Sequence, residues 1–94
     1  MRVVSRRRLR EFWQEHPQAQ APLAAWFKIA SKAQWRHLED VRSVYPSADA
    51  VEQWTVFNIG GNDFRLVTRM VYRHHLVYVE TVLTHAEYDK GKWQ

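Results

Sequence analysis

Between Gln53 and Lys90 the chain reads QWTVFNIGGNDFRLVTRMVYRHHLVYVETVLTHAEYDK, and no other stretch limits the possible folds as tightly. Runs rich in β-branched and aromatic residues are separated by Gly60-Gly61 and by His74-His75. Such runs favour a pleated surface, and a Gly-Gly pair supplies the positive φ that a tight hairpin turn needs at both central positions. The stretch therefore predicts three antiparallel strands followed by a short helix. With two-residue turns, Phe57 faces Phe64, Asn58 faces Asp63, Val56 faces Arg65, and Arg65 lies opposite Thr84. Alternation then sorts the side chains onto two faces. Thr55, Phe57, Ile59, Phe64, Leu66, Met70, Tyr72, Val77, Val79 and Leu83 make an apolar one. The other is mixed and basic: Trp54, Val56, Asn58, Arg65, Val67, Arg69, Arg73, Tyr78 and Val82 fall there, with Arg69 opposite Glu80.

The segments before this stretch supply what covers the apolar face. Ser5 stands where an N-cap belongs, and Leu9, Phe12, Trp13 and His16 follow at helical spacing until Pro17 ends the run. Leu23, Trp26, Phe27 and Ala30 repeat the same stripe in a second helix entered near Pro22. Leu38, Val41, Val44 and Tyr45 predict a third short helix stopped by Pro46, and Ser47 to Glu52 reads as a polar connection. Arg2 to Val4 is apolar enough to add an edge strand. The expected fold class is α+β: a small antiparallel sheet, N-terminal helices packed on one face and a short C-terminal helix, in one domain spanning 1–94.

Thr84-His85-Ala86-Glu87 matches the capping box, threonine at the N-cap and glutamate three residues on. A helix is thus expected from His85, directly after the last strand. His85 and Tyr88 are three apart and so lie near each other on it. A histidine, a tyrosine and Arg65 come to one end of the sheet, followed closely by Lys90 and Lys92.

Composition narrows the function classes. Lys and Arg outnumber Asp and Glu by 14 to 10, the sequence pI is about 9.8, and such a balance favours polyanionic partners. With no cysteine, disulfides and thiolate metal sites are excluded. No run approaches a membrane span, and the arginine-rich start lacks the apolar core of a signal peptide, so a cytoplasmic location is expected. His74 and His75 read as turn residues, without the further ligands a metal site needs.

Set together, FNIGGNDFRLV (Phe57 to Val67), VYVETVL and THAEYDK (Thr84 to Lys90) resemble the HigB toxins of type II toxin–antitoxin systems. SRRRLREFW, the His16-Pro17 pair and YPSAD from Tyr45 to Asp49 extend the resemblance over nearly the whole chain. It implies a RelE-like fold and an endoribonuclease that cleaves mRNA without a metal or cofactor, commonly on translating ribosomes. It also implies a HigA-like helix-turn-helix antitoxin through which operator DNA is bound. Arg65 matches the strand arginine that contributes to phosphate binding in this group, His85 the catalytic residue at the end of the last strand, and Tyr88 the recurring C-terminal tyrosine.

RNA cleavage by the ribose 2′-OH needs a proton acceptor, cations for the crowded phosphorane and an acid for the leaving oxygen. Histidine titrates near neutral pH, and arginine offers a planar two-donor fork to phosphate. The expected roles are His85 as general acid or base, Arg65 on the phosphate, and Tyr88 with Lys90 assisting by hydrogen bond and charge. RNA contacts are expected from Arg69, Arg73, Asn58 and Trp54 on the mixed face, and from Arg6, Arg7 and Arg10 on the first helix. Blander readings stand beside these. His85 as a solvated first helical residue, Tyr88 as packing, Glu80 as a cross-strand partner and the helix arginines as a solvated face use the same residues. The competing function is a non-catalytic basic module that binds RNA or a protein. A DNA-binding regulator is disfavoured, because no helix-turn-helix spacing follows the second helix.

Overall fold

A computed structural model describes residues 1–91 and Trp93. Lys92, grouped above with Lys90, lies outside the described residues. The elements run β1 (Arg2–Val4), α1 (Arg6–Glu15), α2 (Gln20–Lys32), α3 (Leu38–Val44), β2 (Asp49–Val51), β3 (Trp54–Ile59), β4 (Phe64–Val71), β5 (Leu76–Thr84) and α4 (His85–Asp89). The five strands form one sheet in the order β1-β5-β4-β3-β2. Every neighbouring pair is antiparallel except β1 with β5, which run parallel. The α+β class and the edge strand at Arg2–Val4 stand as expected. The segment expected to be a polar connection instead carries β2, whose Asp49–Val51 pairs with Trp54–Val56 across a turn in which Glu52 takes φ 55°.

Both helical stripes face the sheet. Leu9, Leu23, Trp26 and Ala30 are fully buried, and Trp26 meets Phe57 edge-on with ring centroids 5.4 Å apart. Phe57 is the centre of the core: Trp35 stacks near it at 6.2 Å and Tyr45 meets it edge-on at 5.4 Å. Pro22 falls in the first turn of α2, where its missing N–H leaves no helical bond unmade. Ser5 holds the N-cap position of α1, but its side chain makes no capping bond. Among the described residues no helix is long and apolar enough to cross a membrane.

The register departs from expectation in two ways. Gly60 and Gly61 both take positive φ (63° and 68°), but the loop holds four residues, and Ile59 rather than Phe57 faces Phe64. Each β3–β4 pair therefore moves by two positions: Asn58 faces Arg65 and Phe57 faces Leu66. An even shift leaves every side chain on its expected face. The β4–β5 pairing carries an odd one. Val67 faces Thr81 while Thr68 faces Val79, so Glu80 is the extra residue of a β-bulge. Beyond it the faces invert: Val82 is buried opposite Leu66, and Leu83 sits opposite Arg65 on the other side. The assignments of Leu83 to the core and Val82 to the mixed face are thus corrected. Arg8 of α1 donates from Nη1 to the Glu80 carbonyl at 2.7 Å, using the backbone group that the bulge turns outward.

Candidate active site

The face of the sheet away from α1 and α2 is where the chemistry gathers. At its end, Thr84 closes β5 opposite Phe64 and starts α4. The Thr84 hydroxyl accepts from the Glu87 N–H at 3.2 Å, and the Glu87 carboxylate accepts from the Thr84 N–H at 2.9 Å, completing the capping box. His85 donates its backbone N–H to the Asp63 carbonyl at 2.9 Å, which ties the first residue of α4 to the β3–β4 loop. Two local bonds and one tertiary bond therefore set where the His85 and Tyr88 side chains start. Thr84→Ala removes the hydroxyl half of the cap and should cost about 1 kcal/mol of stability in urea unfolding. A Thr84→Ser variant, which keeps the acceptor, should recover most of that loss.

His85 keeps 41% of its side chain exposed, and its Nε2 lies 3.1 Å from Asp89 Oδ2 one turn along. That carboxylate holds one ring nitrogen, Nε2, and so fixes the orientation of the imidazole. Asp89 is a member that sequence reasoning passed over, although its i,i+4 spacing from His85 was a readable signal.

Arg65 is differently placed from the open strand residue the pattern implied. It is only 8% exposed. Its Nη1 donates to the carbonyls of Asn62 (3.2 Å) and Phe64 (3.1 Å), and Nη2 donates to Asn62 Oδ1 at 2.7 Å. The Tyr88 ring lies against it, with the guanidinium carbon 5.7 Å from the ring centroid. Two of its five N–H groups, on Nε and Nη2, have no acceptor among the described residues. The β3–β4 loop, Arg65 and α4 are thus one connected unit. Asn62, read from the sequence as turn chemistry alone, is the residue that aims the guanidinium.

Tyr88 is half-buried between Arg65 and Trp93, on which it stacks at 5.1 Å and 20°. Trp93 Nε1 donates to the Tyr88 carbonyl at 3.2 Å, fixing the pair. Burial pushes the Tyr88 hydroxyl above its ordinary pKa, Asp49 and Asp89 push the same way, and only Arg65 opposes them. The phenol therefore stays protonated at neutral pH and can donate a hydrogen bond. Trp93 was not foreseen; a lone tryptophan near the end of a chain carries no periodicity to read.

The other candidates separate. Lys90 is exposed and ends α4. Asn58 and Arg65 form a cross-strand pair, and Trp54 is half-buried on the same face one strand-end away. Arg69 shares the face, with its guanidinium 4.7 Å over the Tyr78 ring. It stands opposite Tyr78 rather than Glu80, and meets Glu80 only as a diagonal ion pair at 3.8 Å, because the connection between β4 and β5 holds four residues rather than two. Arg73 does not extend the arginine row: it lies in a 3-10 turn, Tyr72–His74, that replaces the two-residue His74-His75 turn. The α1 arginines sit on the helix-covered side, away from this group. Arg6 stacks on Phe27 at 4.7 Å, Arg7 pairs with Glu11 at 3.1 Å, and Arg10 is exposed. Among the described residues, no three His, Asp or Glu side chains converge as a metal site would require.

What is assembled is a histidine–carboxylate pair and an arginine–tyrosine pair on one short capped helix and the hairpin loop it is tied to. The family model for the HigB toxin, a RelE-like toxic component of a toxin–antitoxin system, matches residues 19–91. The mRNA interferase toxin HigB of Escherichia coli K12 is 29% identical over 92 residues, covering 95% of this chain and 88% of the relative. The mRNA interferase HigB of Shigella flexneri matches to the same extent. That of Escherichia coli O6:H1 is 24% identical over 93 residues, covering 96% and 90%. The chain belongs to the HigB toxin family, RelE-like toxic components of toxin–antitoxin systems.

Proposed function

We propose that this chain is an endoribonuclease that cuts mRNA, acts on it at the ribosome, needs no metal, and is held inactive by a HigA-like antitoxin. The observation that carries the reading is the joining of His85–Asp89 to Arg65–Tyr88 through one helix in a chain of this family. The relatives at 29% identity are named mRNA interferases, which agrees with it.

In this mechanism the ribose 2′-OH attacks the adjacent phosphorus. The O2′–P bond forms, the P–O5′ bond breaks, and the products are a 2′,3′-cyclic phosphate and a 5′-hydroxyl. His85, half-exposed and oriented by Asp89, takes the 2′ proton or supplies one to O5′. The positive charge of Arg65 and the protonated Tyr88 hydroxyl offset the charge that builds on the phosphorane. Because Arg65 spends three N–H groups on its own loop, its contact with phosphate falls to the Nε and Nη2 donors that remain. Lys90 adds charge at the end of α4. Arg69, Asn58 and Trp54 extend the RNA surface along the same side and Arg73 adds charge from the turn after β4, while Arg6, Arg7 and Arg10 offer phosphate contacts from α1.

Purified protein incubated with ribosomes and mRNA should yield fragments ending in 2′,3′-cyclic phosphate, at an unchanged rate in EDTA. Cleavage that stops with EDTA and returns with a divalent cation would overturn the metal-free mechanism. RNA binding with no fragments at all would favour the non-catalytic module.

A further inference from the structure

A wide cleft lies away from the histidine and arginine. It is an open groove of about 680 Å³ between the C-terminal turn of α2, the segment after it and α3. Its floor is Trp35, itself buried and stacked near Phe57. Its walls carry Ile29 and Val44, 39% and 47% exposed, the two large aliphatic side chains most open to solvent among the described residues.

The rim is basic. Lys32 and Arg36 line the groove, and neither side chain has a carboxylate partner among the described residues. The one acidic lining residue, Asp40, is already engaged: it accepts the Arg36 backbone N–H at 2.9 Å and faces His37 at 3.9 Å. An apolar floor with exposed aliphatic walls and uncompensated cations at the edge complements a specific chemistry. It suits an apolar side chain flanked by carboxylates. Nucleic acid is the poorer fit, because single-stranded RNA sites display broad aromatic faces for stacking, and the one tryptophan here is sealed beneath the groove, leaving only the His37 imidazole exposed along it.

We propose that this groove is the docking surface for an acidic segment of the antitoxin, which sets a large apolar side chain between Ile29 and Val44 and carboxylates against Lys32 and Arg36. The inference rests on the antitoxin reading and adds the place and the chemistry of contact. Trp35 and Tyr45 reach Phe57 from the helix-covered side of the sheet, whereas Arg65 and Tyr88 lie on the other. A segment seated in the groove therefore leaves the Arg65–Tyr88 surface open, and neutralisation must come from another part of the antitoxin or from keeping the toxin off the ribosome.

The test titrates the full chain with the purified product of the reading frame adjoining its own. Ile29→Asp/Val44→Asp should weaken binding about thirtyfold or more, as expected for central apolar anchors. Ile29→Gln/Val44→Gln, milder to the fold, should weaken it in the same direction. Lys32→Glu/Arg36→Glu should slow association about tenfold and flatten its salt dependence, while the exposed Lys28→Glu on α2 should leave it unchanged. If the unaltered chain binds and all groove variants bind within about threefold of it, the docking site is wrong and the antitoxin reading survives. If that protein fails to bind the unaltered chain, both fall. If the groove variants instead turn a dimer of this chain into a monomer, the occupant is a second copy and the proposal is overturned.

Discussion

Replacing His85 with alanine should lower mRNA cleavage by about 10²–10⁴-fold, the range expected when a general acid or base is removed. The fold should survive. The side chain is 41% exposed and its side-chain partner is Asp89 one turn away, while the backbone N–H that ties it to Asp63 is kept by alanine. Purified wild-type and variant proteins, compared for cleavage on ribosomes and for thermal unfolding, give the two readouts separately. Arg65→Ala should differ in kind, because it also strips three hydrogen bonds and the Tyr88 contact from the hairpin loop. It should lower both cleavage and melting temperature. Full growth arrest by both variants in cells, with both still folded, would refute the mechanism.

The largest loss of stability should follow from Phe57→Ala. Phe57 is fully buried and shares ring contacts with Trp26, Trp35 and Tyr45, which arrive from α2, the segment after it and the end of α3. Truncation removes the transfer free energy of the ring and leaves a cavity among partners too large to collapse onto it. The cost should be about 3–5 kcal/mol, against a total of about 5–15 kcal/mol for a domain of this kind. Urea unfolding followed by tryptophan fluorescence measures it directly, since two of the three ring partners are indoles. A cost below about 1 kcal/mol would mean the three aromatics close the gap themselves.

The parts of this fold that were legible in the sequence are those with local causes. Helical stripes through Leu9 and Trp26, the capping box at Thr84 and the β-branched runs each express a preference of a few neighbouring residues. The β3–β4 faces were right despite a wrong loop length, because the error was two residues and the pleat repeats every two. The bulge at Glu80 was not legible: an extra residue in a run of apolar and aromatic side chains leaves no local mark. The exchange of Val82 and Leu83 follows from that single residue, whereas the wrong partner for Arg69 follows from a turn two residues longer than His74-His75. Arg65 reads as exposed by alternation, but its burial comes from Asn62 and from α4 folding over the sheet. The groove was invisible for the same reason, since it needs α2 and α3 in their packed positions.

The bulge also has a consequence for how the family can vary in length here. Because side chains point alternately up and down, the count of residues between Tyr78 and Thr84 behaves as a parity bit for whatever follows. Deleting Glu80 would smooth β5 and free Arg8 from its carbonyl, yet it would invert the exit of the strand and carry the imidazole toward the helices. Insertions or deletions of two residues would keep that exit; those of one would not. Among natural relatives, this segment should change by pairs or not at all.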